Sequence, residues 1–275
     1  MADLDRALSF LKLNPRQKKP RARAQTEIRG PYYAPVGRRY LEDLFESMGA
    51  YVDTLKFAGG SFALMPAAWV RSIIDLCHRH EVAVSTGGFL EYVLTQGPAA
   101  VDRAVAECRE LGFDIIEVSA GFISIPDDDL VRLTERVIRA GMKSKPEVGI
   151  QFGAGGATRA VELAAEGTRD VGQAVRLARR HLDAGARLIM IESEGITESV
   201  EHWRTDVAAR LVEELGLEQV MFEASDPEVF SFYVKTFGPD VNLFVDHSQV
   251  VQLECLRAGL WGTQSTWGRV VTYRP

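Results

Sequence analysis

Short apolar runs recur along this chain, and most end in a polar or acidic residue that precedes a stretch with helical periodicity. Alternation of this kind is typical of strands and helices arranged around a parallel sheet. In a closed parallel barrel the strand C-termini open on one face, where active sites are built. Removing carboxylates from water at such a face costs free energy, which is tolerated where they bind a metal or transfer protons. The pattern therefore favours an enzyme. The run-ending residues are Lys56, Glu117, Glu147, Glu192, Glu223, Asp246 and His247.

The pattern predicts eight strands and eight helices, as in a single (β/α)8 TIM barrel of the α/β class. The competing fold is an open doubly wound sheet, but Phe57–Ser61 does not match the G-x-G-x-x-G turn of such sheets. The predicted strands are Thr26–Arg29, Val52–Phe57, Val82–Thr86, Ile115–Ser119, Lys145–Gln151, Leu188–Ser193, Val220–Ala224 and Asn242–Asp246. The predicted helices are Tyr40–Met48, Pro66–His80, Pro98–Leu111, Asp127–Ala140, Val171–Ala184, Thr197–Leu215, Pro227–Thr236 and Gln249–Ala258.

Size and charge narrow the class of protein. A chain of 275 residues suits one barrel domain, predicted at 26–275, after a basic N-terminal extension at 1–25. The net charge of -6 disfavours nucleic acid as a partner. No apolar stretch approaches the roughly 20 residues that span a bilayer, so we expect no membrane association and a cytoplasmic location. A homo-oligomer is also expected.

Two segments allow more than one interpretation. The basic extension carries Arg16, Lys18 and Arg21 among prolines. It is a solvated arm, an arm that wraps a neighbouring subunit, or one that lies over the barrel. The glycine-rich segment Gln151–Asp170 is long for a plain connection. It is either a mobile lid over the barrel mouth or an ordinary surface loop.

Three carboxylates are predicted at the ends of adjacent strands four, five and six: Glu117, Glu147 and Glu192. Together they suit Mg²⁺, which prefers oxygen ligands and keeps water and substrate in its shell. Each carboxylate is alternatively an ion-pair partner for Lys56 or Lys145. Lys56 itself either binds a phosphate or carboxylate of the substrate or pairs with a neighbouring carboxylate.

Other strand ends offer groups that bind anions or transfer protons. Gly87 and Gly88 open a helix, where backbone amides suit an anion. Ser225 and Ser248 follow strands seven and eight, where many barrels hold a phosphate, although both also resemble helix N-caps. His247 is a candidate acid–base group.

Taken together, these strand ends resemble the phosphosulfolactate synthase family. The resemblance implies a (β/α)8 barrel that adds sulfite to phosphoenolpyruvate with Mg²⁺, on a route to coenzyme M. It also implies that Lys56, Glu117 and Glu147 contact the substrate or metal, with Glu91 and Glu223 behind them. The matching segments are Leu55–Ser61, Gly87–Glu91, Leu111–Ser119, Glu147–Gly149, Met221–Ala224, Val241–Leu243 and Leu253–Arg257.

Within that family the chain also resembles the plant heat-stress-associated branch. It departs from the synthase pattern in three places. The synthases carry lysine directly after Glu-Val-Gly, where this chain has Ile150–Gln151, and aspartate where it has Ala120. Their sixth strand continues Glu-Gly-Arg-Glu, where this chain has Glu192, Ser193, Glu194 and Gly195. Arg29, Lys143, Lys145 and Arg159 are candidates to replace the missing cations at the substrate. The expected function is a phosphosulfolactate synthase-like lyase. The alternatives are a non-catalytic barrel that binds other proteins, or an enzyme that acts on another enolisable acid.

Overall fold

Eight parallel strands close into a barrel in which each strand pairs with the next and β8 pairs with β1. The computed structural model describes residues 6–155, 159–224, 226–260 and 270–272. The strands are β1 (Thr26–Arg29), β2 (Thr54–Lys56), β3 (Ala83–Ser85), β4 (Ile115–Val118), β5 (Lys143–Val148), β6 (Ile189–Ile191), β7 (Val220–Glu223) and β8 (Asn242–Asp246). The predicted (β/α)8 barrel is confirmed.

Helices follow the strands and surround the barrel. Among the described residues, none of these helices is long and apolar enough to cross a membrane. They are α1 (Arg38–Met48), α2 (Ala67–Arg79), α3 (Leu90–Leu94), α4 (Pro98–Leu111), α5 (Asp127–Arg139), α6 (Ala160–Glu166), α7 (Val171–Asp183), α8 (Thr205–Leu215), α9 (Pro227–Phe237) and α10 (Val250–Arg257).

The element boundaries differ from the predicted ones at many ends, mostly by one or two residues, and three differences bear on the fold. The helix predicted at Thr197–Leu215 begins at Thr205, because Ser199 adopts a φ of 56° that a right-handed helix does not accommodate. Strand β5 begins at Lys143 rather than Lys145. The short helix α3 follows Gly88, where a helix start was predicted, and the short helix α6 lies in the segment after β5, which was not predicted to be helical. None of these differences alters the strand order.

Side chains alternate between the two surfaces of the barrel wall, because successive residues of a strand point to opposite faces. Ile28 and Leu55 belong to the large core between the strands and the helices. Met190, Met221 and Phe244 form a separate, smaller cluster inside the barrel. Most charged residues of the strands share the inward parity of this second cluster and lie inside the barrel as well: Glu27, Arg29, Lys56, Glu117, Lys145, Glu147 and Glu223.

The N-terminal arm, residues 6–25, lies across the end of the barrel where the strands begin. The Lys19 ammonium donates to the His80 carbonyl (2.9 Å), and Arg21 pairs with Asp53 (2.9 Å). His80 and Asp53 precede β3 and β2, so the arm covers the amino end of the barrel. Of the three interpretations, the described contacts agree with an arm that lies over the barrel. The domain boundary at residues 25 and 26 stays a prediction.

Arg257 connects the last helix to this end of the barrel. Its guanidinium donates to the Thr26 hydroxyl (2.6 Å), the Glu254 carboxylate (2.8 Å) and the Val241 carbonyl (2.6 Å). Arg16 of the arm pairs with the same glutamate at 2.9 Å. The Arg257 side chain is buried, so these polar groups have no ready access to water. The network therefore joins α10, β1, β8 and the arm.

Replacing Arg257 tests how strongly this network stabilises the barrel. Arg257→Ala removes three buried hydrogen bonds and leaves a cavity, so we expect the free energy of unfolding to fall by about 3–5 kcal/mol. Arg23→Ala is the matched control, because Arg23 forms an exposed pair with Glu218 that is worth less than about 1 kcal/mol. Chemical denaturation of both variants measures the difference. Equal effects of the two changes would show that the buried network adds nothing.

Candidate active site

A cavity of about 410 Å³ opens at the carboxyl ends of the strands. We call it the mouth cavity. Its volume falls in the range of about 300–1,000 Å³ that is usual for small-molecule sites. The strand-end residues that line it are Arg29, Lys56, Gly87, Gly88, Glu117, Glu147, Glu192, Glu223 and Phe244.

Two lysines and three glutamates form a network in the centre of the barrel. The Lys56 ammonium lies 2.9 Å from Glu117 Oε2 and 3.3 Å from Glu223 Oε1. The Lys145 ammonium lies 3.2 Å from the same Glu117 oxygen and also contacts Glu27. Glu117 is 1% exposed, so these are buried ion pairs whose charges depend on one another.

Arg29 offers the cavity a cation whose charge acts against burial to lower the pKa of Glu223 and Asp246, without a direct ion pair among the described residues. Its guanidinium lies over the rings of Tyr33 (4.7 Å) and Phe244 (5.1 Å). Among the described residues, none accepts a hydrogen bond from it or forms an ion pair with it. A guanidinium held between rings with its donors open is suited to a planar carboxylate, which it binds with two parallel hydrogen bonds.

Burial and neighbouring charges divide the glutamates into two kinds. Burial opposes ionisation of Glu117, but Lys56 and Lys145 bring its pKa below the ordinary value. Burial raises the pKa of Glu147 well above that value, and the charges of Glu117 and Glu192 add to the effect. Burial, assisted by the charge of Glu223, raises the pKa of Glu192 to about 8. Glu117 is therefore ionised at neutral pH, whereas the other two tend to hold protons.

Glu147 is the carboxyl best placed to transfer a proton. It lines the mouth cavity on β5 and is only partly buried. Among the described residues, none donates a hydrogen bond to its side chain. Glu192 differs, because its carboxyl accepts a hydrogen bond from the Glu194 backbone amide at 2.9 Å. A cavity-facing carboxyl with a raised pKa and no partner fits a general acid.

Among the described residues, those that point inward from the strands or stand at their carboxyl ends include five carboxyl groups and three cationic groups in the barrel interior. If every group were ionised, two negative charges would be left without a counterion in a region of low dielectric. Protons on the groups of raised pKa, or a cation brought by a ligand, remove this excess. The carboxyl groups are Glu27, Glu117, Glu147, Glu192 and Glu223, and the cationic groups are Arg29, Lys56 and Lys145.

The predicted magnesium ligands do not form a metal site in this arrangement. Among the described residues, no group of three or more His, Cys, Asp or Glu side chains is positioned to hold a metal ion. The reason at Glu117 is that one of its oxygens already lies against two ammonium groups. Glu117, Glu147 and Glu192 therefore share a cavity without converging on one point, and Mg²⁺ stays a prediction.

The other predicted site residues divide between the cavity and its surroundings. Gly87 and Gly88 line the mouth cavity as expected, whereas Lys145 does not. Lys145 sits deeper, because it precedes Glu147 by two positions and pairs with buried Glu27. Its prediction as a substrate-binding residue is not supported.

His247 and Ser248 also lie outside the lining of the cavity. The His247 ring hydrogen-bonds the Tyr40 hydroxyl at 2.8 Å and lies 3.9 Å from the Asp246 carboxylate. The Ser248 hydroxyl donates to Asp246 at 2.6 Å, as expected of a residue at a helix start. These positions do not support the roles predicted for the two residues. Ser225 lies outside the described residues.

Sequence reasoning missed Glu27 and the aromatic residues of the loops. The signal for Glu27 was its spacing from Arg29, since residues two apart in a strand face the same side. Tyr32 and Phe122 lie in loops and follow no such period, yet both line the cavity. Glu91 positions the second of them by accepting hydrogen bonds from Gly121 N (3.0 Å) and Phe122 N (2.8 Å).

Two departures from the synthase pattern have structural roles here. The Gln151 side-chain amide donates to the carbonyls of Leu163 (2.7 Å) and Gly167 (2.8 Å), which ties the segment after β5 to α6. The Ser193 hydroxyl donates to Glu198 at 2.8 Å and shapes the loop after β6. Neither side chain lines the cavity. A lid role for Gln151–Asp170 stays a prediction.

Comparisons with known proteins agree with the fold and the strand-end motifs. Residues 14–263 match the family described as (2R)-phospho-3-sulfolactate synthase (ComA). Protein HEAT-STRESS-ASSOCIATED 32 of Arabidopsis thaliana is 39% identical over 267 residues, which cover 94% of this chain and 93% of that protein. Phosphosulfolactate synthase of Methanothermobacter thermautotrophicus is 28% identical over 263 residues, with 93% and 96% covered.

Solved structures show the same fold at low sequence identity. The putative copper homeostasis protein CutC of Streptococcus agalactiae aligns with a TM-score of 0.53 at 13% identity, over 81% of this chain and 98% of that one. The carboxyl transferase domain of Rhizobium etli pyruvate carboxylase aligns with a TM-score of 0.52 at 13% identity, over 82% of this chain and 40% of that one. At such identity the likeness concerns the barrel alone.

The raised pKa of Glu192 predicts a dependence of stability on pH. Between its ordinary value of 4.5 and about 8, the folded protein holds a proton that the unfolded chain has released. The free energy of unfolding therefore falls as pH rises through this window, with a limiting slope of about 1.4 kcal/mol per pH unit for one proton. We expect Glu192→Gln to flatten this slope. Denaturation series at pH values between the ordinary pKa of 4.5 and the raised pKa of about 8 measure the change.

The control for this experiment is Glu162→Gln, which changes an exposed carboxylate paired with Arg159. It should leave the pH slope of the parent protein unchanged. An identical slope for the parent and the Glu192→Gln variant would contradict a proton held at Glu192.

Proposed function

Because this chain belongs to the phosphosulfolactate synthase family, we propose that it is a carbon–sulfur lyase that adds sulfite to an α,β-unsaturated carboxylate in the mouth cavity. Phosphoenolpyruvate, the acid that the family resemblance implies, is one member of this chemical class. The observation that carries the proposal is the unpaired Glu147 carboxyl of raised pKa in the same cavity as the open guanidinium of Arg29.

The proposed reaction makes one bond and moves one proton. The sulfur lone pair of sulfite forms a bond to C3, and the π electrons of the double bond move to C2 and into the carboxylate. A proton then adds to C2. The step requires cationic donors at the carboxylate, where negative charge grows, and an acid at the carbon.

The residues of the cavity match these two requirements. Arg29 holds the substrate carboxylate through its open donors and stabilises the charge that develops there. Lys56 adds a second positive charge to the cavity. Burial opposes its charge, but Glu117 and Glu223 keep its pKa well above the ordinary value, so the ammonium stays protonated. Glu147 gives its proton to C2. No step assigned to these side chains requires a metal.

A second candidate is a non-catalytic barrel of the heat-stress-associated kind that binds other proteins. Two observations favour it. The Arabidopsis relative named for heat stress is 39% identical to this chain over most of its length. In addition, Ile150 and Glu194 stand where the synthases carry a lysine and an arginine, and their neighbours Gln151 and Ser193 make structural hydrogen bonds here. The two candidates differ in whether sulfite is consumed.

Sulfite consumption in the presence of phosphoenolpyruvate, crotonate or cinnamate tests the proposal. We expect turnover by the parent protein and a loss of about 10²–10⁴-fold in kcat for Glu147→Gln, which removes the acid but keeps its shape. The rate should fall as pH rises through the raised pKa of Glu147, because only the protonated form donates. Far-ultraviolet circular dichroism verifies that the variant is folded.

Glu162→Gln is again the matched control and should retain full activity, because its carboxylate lies on the exposed helix α6. Unchanged turnover of Glu147→Gln would refute the assignment of the acid. Absence of sulfite consumption with all three acids would refute the lyase and favour the second candidate.

A further inference from the structure

We infer that Glu194 is a positioning residue that holds one wall of the mouth cavity in place beside Glu147. The inference rests on the proposed function for the reaction that this wall serves. It goes beyond that function by assigning a role to a buried carboxylate that lies outside the lining of the cavity. Three sets of contacts support it: those of Glu194, those between two neighbouring loops, and those of Glu91.

Glu194 joins two parts of the cavity lining. Its backbone amide donates to the Glu192 carboxyl at 2.9 Å, and its own carboxylate accepts a hydrogen bond from the Gly155 backbone amide at 2.9 Å. Glu192 and Gly155 both line the mouth cavity, but they belong to different loops, after β6 and after β5. A hydrogen bond to a carboxylate is about twice as strong as one to a neutral acceptor. One residue with 0% exposure therefore ties a cavity carboxyl to a piece of the cavity wall.

This contact is particular to the present chain. Glu194 stands where the synthases carry an arginine. A guanidinium has no lone pair with which to accept the Gly155 amide. The exchange of a cation for a buried carboxylate therefore changes what holds the loop after β5, besides removing a positive charge.

The loops after β4 and β5 pack together so closely that both require glycine. A Cβ on Gly121 would lie 1.7 Å from the Ala154 carbonyl oxygen, and a Cβ on Gly155 would lie 2.2 Å from the Phe122 ring. Neither position leaves room for a side chain. Because closely packed groups transmit displacement, a shift of Gly155 also shifts Phe122.

Glu91 holds the other side of this contact. It is buried in the first turn of α3 and accepts hydrogen bonds from the Ser119 hydroxyl, from Gly121 N (3.0 Å) and from Phe122 N (2.8 Å). The loops after β3, β4, β5 and β6 are thus joined in sequence, with Glu91 at one end and Glu194 at the other. We call residues 119–122 and 154–155 the clamped wall.

The clamped wall adjoins the strands that carry the proposed acid and its neighbour. Glu147 lies on β5, and Glu192 directly follows β6. A Cβ on Gly149 would lie 2.9 Å from the Glu192 Cβ, so the Glu192 side chain packs against the backbone that follows Glu147. Loss of the Glu194 contacts would therefore free both the wall and this carboxyl. A displacement of about 1 Å from productive geometry can cost about 10²-fold in rate, so a residue that prevents it assists catalysis without touching the substrate.

Glu194→Ala and Glu194→Gln test the inference as a pair, because alanine removes the acceptor for Gly155 whereas glutamine keeps an oxygen there. We expect Glu194→Ala to lower kcat/KM for sulfite addition to phosphoenolpyruvate by about 10²-fold. It should also weaken phosphoenolpyruvate binding, measured by isothermal titration calorimetry, by about 3- to 10-fold. Glu194→Gln should stay within about 3-fold of the parent protein in both measurements. Circular dichroism verifies that both variants are folded.

Glu198→Ala is the matched control. Glu198 lies in the same loop, and its carboxylate accepts a hydrogen bond from the Ser193 hydroxyl at 2.8 Å, but it belongs neither to the cavity lining nor to the clamped wall. This variant should match the parent protein in turnover and in binding. A loss as large as that of Glu194→Ala would contradict the inference, because any change in the loop would then impair the site.

Hydrogen–deuterium exchange resolved by residue tests the inference without turnover. We expect Glu194→Ala to speed exchange of the Gly155 amide by about 10-fold, because its acceptor is lost. Exchange of the Phe122 amide should rise as well, although that amide donates to Glu91, because the two loops pack on one another. Amides of the remote helix α10 should exchange as in the parent protein.

Faster exchange confined to Gly155 would overturn the inference, and so would a Glu194→Gln variant as impaired as Glu194→Ala. Failure of the inference is distinguishable from failure of the proposed function. A parent protein that consumes no sulfite removes the lyase, and exchange at Phe122 then decides the inference alone. Parent-like turnover and exchange in Glu194→Ala keep the lyase and remove the inference.

Discussion

Two lysine ammonium groups share one oxygen of Glu117 at the centre of the barrel, and the arrangement of the site depends on this contact. Lys56 arrives from β2 at 2.9 Å and Lys145 from β5 at 3.2 Å, while Glu117 stands on β4. The pairs extend to Glu27 on β1 and Glu223 on β7. Five of the eight strands therefore meet through one buried network. Removing any partner would leave a charge without its counterion in a region of low dielectric.

The same network explains why other carboxyl groups are poised to hold protons. Because both lysines are committed to Glu117 and its neighbours, neither compensates Glu147 fully, and burial raises the pKa of that carboxyl. Arg29 is the cationic counterpart in the cavity: its N–H donors are open, and its guanidinium stacks against aromatic rings. Among the described residues, an acid without a hydrogen-bond partner and a guanidinium without a direct acceptor are complementary to one kind of ligand, an anion that accepts a proton.

The barrel and the positions of its charged strand ends were predictable, because strand periodicity and parallel topology bring strand C-termini to one face. The depth at which each side chain lies along the barrel axis was not predictable from the sequence. Lys145 and Glu147 point the same way two residues apart, but one is buried in an ion pair and the other reaches the cavity. His247 follows its strand as expected, yet its ring contacts Tyr40. The ring of Phe122 comes from a loop, where sequence carries no period to reveal it.

Infrared spectroscopy of the parent protein with isotopically labelled glutamate measures the central claim directly, because the carbonyl stretch of a protonated carboxyl is distinct from that of a carboxylate. The account predicts a protonated glutamic acid band near neutral pH that weakens in Glu147→Gln and in Glu192→Gln and disappears as pH rises. The control variant Glu162→Gln should keep the band. A spectrum in which every glutamate is ionised near neutral pH would contradict the account.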